Sequence, residues 1–199
     1  MTRLRSARGA HRSRGVVLIE LAIISPVLVL LVLGIFEFGN AWRQVGGLER
    51  AAQAGARTVT AQANARYADY EALRAIDSAT RGLQGVTIDQ VVIFRTTDGS
   101  MPAACASGSV AGTCNTYTGT QLRTASPAGF PPGTTCAGGW DTAWCPTTRA
   151  REGVNRMLIG VHVSATYSSV TGLLPGPTIT ITRSAVYQIE PCAQGQSGC

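Results

Sequence analysis

Residues 16–36 read VVLIELAIISPVLVLLVLGIF, a run of 21 positions interrupted only by Glu20, Ser25 and Pro26. At about 1.5 Å rise per residue, a helix of that length spans roughly 30 Å, the depth of a bilayer core. The stretch therefore predicts a transmembrane helix, and it divides the chain. Before it lie Arg3, Arg5, Arg8, Arg12 and Arg14 without an acid among the first 15 residues. No comparable basic cluster directly follows it, so the N-terminus is expected in the cytoplasm and everything beyond about residue 40 outside. A secretory signal peptide would have a shorter apolar region and a small-x-small cleavage site. Here the run ends in Phe36-Glu37-Phe38-Gly39, with a charge where a small residue belongs.

The rest of the composition narrows the function. A chain of 199 residues has room for one ordinary domain plus an anchor, and 45% hydrophobic against 14% charged residues excludes a disordered protein. All 17 basic residues are Arg, which removes lysine Schiff-base chemistry and P-loop lysines. The net charge of +6 is concentrated in the leader: beyond residue 15, 12 Arg face 11 acids. That distribution fits the flank of a membrane helix and predicts no nucleic-acid partner.

Glu20 is the anomaly of the apolar run, because a carboxylate in a hydrocarbon core costs about 2.5 to 3.5 kcal/mol on insertion scales. A cut between Gly15 and Val16 would create an α-ammonium one helical turn from Glu20, close enough to neutralise it within one chain or between neighbours. The alternative is an uncleaved anchor in which Glu20 stays hydrated near the interface. A basic leader ending in Arg14-Gly15, then Val16 to Ile19 and Glu20, resembles the class III signal of type IV pilins and pseudopilins. Pro26, Gly34-Ile35-Phe36-Glu37-Phe38-Gly39, Leu48-Glu49-Arg50-Ala51-Ala52 and Gly55-Ala56-Arg57 narrow that resemblance to the TadE-like family of the tight-adherence (Flp) pilus. It covers residues 14–58 and returns more weakly over 160–190. It implies processing of Gly15 and Val16 by a prepilin peptidase and subunit docking through Glu20. The implied partners are the major Flp pilin, other pseudopilins, an inner-membrane assembly platform and membrane lipid.

Beyond the span, residues 40–62 contain no Pro and place Leu48, Ala52, Gly55, Ala56 and Val59 at helical intervals. The first helix should continue out of the membrane. Small pairs at Ala51 and Gly55, and at Ala52 and Ala56, would let another helix approach closely, and this face is expected to pack against other pilins. Trp42 with Phe36 and Phe38 fits an aromatic belt. Residues 66–81, with Tyr67, Tyr70, Leu73 and Ile76 on one face, predict an amphipathic helix with Glu71–Arg74 and Asp77–Arg81 pairs. Val86 to Arg95, Met157 to Tyr167 and Thr178 to Glu190 are predicted strands, the last two joined through a turn at 172–177. The expected fold is α+β: a long pilin-like transmembrane helix, a second amphipathic helix and a small antiparallel sheet carrying a disulfide-stapled insertion. Its divisions are a leader at 1–15, the span at 16–38, a helical stalk at 39–82 and a β-rich domain at 83–199.

The insertion is residues 97–153, where 29 of 57 positions are Gly, Pro, Ser or Thr, so no regular element is expected to run through it. All six cysteines, Cys105, Cys114, Cys136, Cys145, Cys192 and Cys199, fall on the translocated side, which indicates disulfides formed in an oxidising compartment. Six cysteines allow 15 pairings; nearest-neighbour pairing is preferred because it closes three short loops. No Cys-x-x-Cys occurs and His162 stands alone in a strand, so neither a metal nor a cofactor is expected. Asp141 and Glu152 could form a carboxylate pair, but solvated loop acids are the commoner case, and no catalytic constellation emerges. Tyr117, Phe130, Trp140 and Trp144 are either ligand contacts or packing around disulfides. The function expected is a minor pilin; an uncleaved, membrane-anchored extracytoplasmic binding module is the alternative.

Overall fold

A computed structural model describes residues 10–62, 64–149, 157–169 and 178–189. The first element, α1 (Ala10–Gln62), is a single helix of 53 residues with Pro26 inside it. Proline at position 26 cannot donate to the carbonyl of Ala22, and the Ser25 hydroxyl turns towards that same oxygen at 3.5 Å. After a turn, α2 (Ala68–Thr80) runs back against α1.

The sheet follows. β1 (Val86–Thr96) is joined to β2 (Cys114–Thr118), then a one-turn helix, α3 (Gly119–Arg123), and finally β3 (Leu158–Tyr167) and β4 (Ile179–Gln188). All pairings are antiparallel in the order β2-β1-β3-β4. The fold is α+β, a helical layer on one face of a four-stranded sheet. A bulge between Ile88 and Gln90 resets the alternation of β1, so that Ile88 and then Val91 and Ile93 all join the core beneath the helices. On the opposite face, Val92 and Phe94 pack with Cys105 and Cys114. Gly160 is required there, since a Cβ would come within 2.2 Å of the Phe94 ring.

Two expectations are corrected. The helix face of Leu48, Ala52, Gly55 and Val59 is not available to other pilins: Leu48, Ala52 and Val59 are in the core with Ile76, Val161 and Val163. The small residues do permit close approach, but to elements of the same chain. A Cβ on Gly55 would lie 2.6 Å from Ile76, and one on Gly47 would lie 2.3 Å from Leu83. The segment beyond Glu37 is thus the spine of the head and not a free stalk. The second correction is that the insertion contains regular structure, β2 and α3, the latter held by a capping box between Thr118 and Gln121. The 172–177 turn, Glu152, Glu190, Cys192 and Cys199 lie outside the described residues.

Candidate membrane and assembly site

From Gly15 to Phe36 no side chain of α1 is buried against the head, and Val16 to Val32 expose apolar surface all round the helix. An apolar helix with no protein partner needs lipid or neighbouring helices as its surroundings. It is a candidate membrane anchor by length and composition. Gly15 and Val16 lie within the helix, and Glu20 is exposed one turn above Val16. Nothing lies within 4 Å of a Cβ built on Gly15. The fold itself therefore makes no demand for glycine there. Phe38 and Trp42, one turn apart and both largely exposed, stack with ring centroids 6.3 Å apart where the apolar segment ends.

The head begins at Glu37, which is fully buried despite its place beside that exposed aromatic pair. The Tyr167 hydroxyl donates to Glu37 Oε1 at 2.9 Å and accepts from Asn40 Nδ2 at 3.0 Å. Gln44 Nε2 in turn donates to Asn40 Oδ1 at 3.2 Å. Residues 37, 40 and 44 fall on one helix face, so this polar chain joins about two turns of α1 to the last residue of β3. Burial, with Glu37 second, pushes the Tyr167 phenol above the usual tyrosine range.

Residues 15–57 match the TadE-like protein family. The matched part begins at Gly15 and contains the anchor, Glu20, the aromatic pair and most of the head's spine. It points to a Tad pilus-associated protein. The TadE-like segment ends at Arg57, so the closing strands, the sheet and the insertion lie outside it. Neither the curated proteins nor the solved structures contain a match to the chain.

The strands place the insertion at the end of the head away from the TadE-like anchor, since Tyr167 closes β3 at the base and Leu158 opens it at the far end. Two disulfides, Cys105–Cys114 and Cys136–Cys145, hold that region. Asp69, at the start of α2, binds Arg149 through both carboxylate oxygens, Oδ1 at 2.6 Å and Oδ2 at 2.9 Å. Asp69 Oδ2 also accepts from Tyr117 at 2.7 Å and Asn115 at 2.8 Å. Asn115 then exchanges two hydrogen bonds with the Trp144 backbone, and the Arg149 guanidinium lies 4.1 Å over the Trp144 ring. Burial, reinforced by Asp69, raises the Tyr117 phenol well above its usual range. A second pair, Arg66 with Asp141, fastens the same loops to the turn before α2. Burial raises the Asp141 carboxyl despite the opposing pull of Arg66.

Asp141 is thus bound to Arg66, with no acid partner among the described residues. Tyr117, Phe130 and Trp144 are buried in the core, with Trp140 packed against it. His162 meets Ser184 at 2.7 Å on the open face of the sheet, and burial lowers its pKa. Among the described residues no three His, Cys, Asp or Glu side chains converge as a metal site. Sequence reading missed Glu37 and Tyr167 as a pair. The available signal was the i, i+3, i+7 spacing of Glu37, Asn40 and Gln44 on an otherwise apolar stripe.

Proposed function

We propose that this chain is a minor pilin or pseudopilin of a tight-adherence (Flp) pilus. The carrying observation is that the TadE-like match starts at Gly15, with Glu20 five residues on in an exposed apolar helix. On this reading a prepilin peptidase cuts between Gly15 and Val16, and Glu20 pairs with the new ammonium of Val16 on a neighbouring subunit. That Gly15 faces open space favours a role in recognition by another protein over one in folding. The leader lies in the cytoplasm and the head outside the inner membrane, where the disulfides form.

Because the spine face is buried within the head, contact with the major pilin, sibling pseudopilins and the assembly platform falls to residues 16–36 and the outer surface of the head. The protein acts by contact, without turnover, cofactor or metal. N-terminal sequencing of the membrane-purified chain tests the proposal. A mature N-terminus at Val16, lost when Gly15 is replaced by Leu, is expected. An intact Met1 or Thr2 in cells with an active prepilin peptidase would favour the anchored binding module.

A further inference from the structure

Directly above the aromatic pair, a groove of about 470 Å³ opens between α1 and the end of α2. Leu83 lies against Gly47 there, at a distance only glycine tolerates. Arg43 and Arg50 stand on its rim, seven residues apart and so on one side of the helix, both exposed. Neither has an acidic partner among the described residues, and no Asp or Glu lines the groove. The remaining polar lining is amide: Asn40, Gln44 and Gln84. The nearby acids are engaged elsewhere: Glu37 under Tyr167, Glu49 with Gln53 and Arg183, and Asp77 with Arg81. Arg57, the next member of the seven-residue series, is different, because it lies over the Tyr187 ring and reaches its hydroxyl.

The height of the groove identifies its occupant. The headgroup layer extends about 5 to 7 Å beyond the hydrocarbon core. At about 1.5 Å per residue, a core ending near Phe38 puts Asn40 to Arg43 within that layer. Arg50 is about 10 Å higher still, roughly 18 Å above Phe38, and stands outside that layer. We propose that the lower end of this groove binds the headgroup of an anionic phospholipid, with Arg43 holding the phosphate and the amides taking the remaining headgroup oxygens. The inference requires α1 to span a bilayer but not that the chain be a pilin, and it holds for either orientation.

Trp42, adjacent to Arg43, is a reporter on the spot, while Trp140 and Trp144 belong to the far end of the head. The full-length chain is reconstituted in phosphatidylcholine bilayers containing one-fifth phosphatidylglycerol. Bromine is placed on the acyl chains of the phosphatidylglycerol alone, or on an equal fraction of the phosphatidylcholine. An arginine close to a membrane surface favours anionic lipid about fivefold, so brominated phosphatidylglycerol should quench Trp42 at least about threefold more strongly. R43Q should bring the ratio near one, and R50Q and R57Q should leave it unchanged. The leader arginines are common to all variants and lie across the bilayer from Trp42. A ratio of one in the wild type, or an unchanged ratio in R43Q, would overturn the proposal. An equal loss in R50Q or R57Q would replace it with diffuse surface charge. Addition of 10 mM inorganic phosphate should not alter the preference, and its disappearance would make the groove a site for the free ion instead of lipid.

Discussion

Glu20 and Glu37 are two carboxylates on one apolar helix, and the surroundings of each decide its role. Glu20 has exposed aliphatic neighbours, and on the pilin reading its charge is matched by a neighbouring subunit; Glu37 receives the Tyr167 hydroxyl inside the head. Glu20→Ala should be inserted at least as well as the wild type, because insertion no longer buries a charge, yet fail to join pili. Membrane fractionation together with counting of surface pili checks both halves. Tyr167→Phe should cost about 1 to 3 kcal/mol by leaving Glu37 short of a donor, read as a lower melting temperature in detergent. Arg149→Met should be worse, about 3 to 5 kcal/mol, because Asp69 would remain buried without its cation. Gly15 and Glu20 were legible in the sequence because their spacing is local. Glu37, Asp69 and Arg149 were not, since the partners of each lie 75 residues or more away along the chain or are set by the folding of loops.

Among the elements, α2, β3, β4 and the part of α1 beyond Glu37 could be read from period, because each buries one face; the first half of α1 was legible from its apolar length, and β1 from its β-branched content, since the bulge at Ile88 to Gln90 breaks its alternation. β2 could not: Asn115, Thr116 and Tyr117 sit among glycines and threonines, and their strand exists because Asn115 and Tyr117 are held by Asp69 while Cys114 is held by Cys105. The periodicity of the spine identified a buried face but not what would cover it. Gly55→Val should force α2 away from α1 and destabilise the head by about 1 to 3 kcal/mol, measurable by chemical denaturation. Peptide mapping without reduction should recover Cys105 linked to Cys114 and Cys136 to Cys145. Replacing either pair by serines should cost about 2 to 3 kcal/mol through the freed unfolded chain.

For the whole molecule, stability should fall at both ends of the pH scale. Burial lowers the pKa of His162, so its neutral form belongs to the fold; the contribution is present above the ordinary histidine value of about 6.5 and is lost as pH drops through the folded pKa. Tyr117 and Tyr167 hold their protons more tightly when folded, so their contribution is complete below about pH 10 and is lost as pH rises through their folded values. Melting temperatures across pH 5 to 11 should show both limbs, with His162→Gln flattening the acid limb. As a proposed minor subunit, the chain should be far scarcer than the major pilin in sheared pili, because so broad a head repeated at every step would crowd a thin filament. Quantitative mass spectrometry decides this. The disulfides also set how the head responds to pulling. Each joins cysteines nine positions apart, a stretch that could extend to about 30 Å, yet holds their Cα atoms 6.2 and 5.6 Å apart. Together they withhold about 50 Å of slack, so a head gripped by its distal loops would transmit tension to the anchor instead of paying out chain.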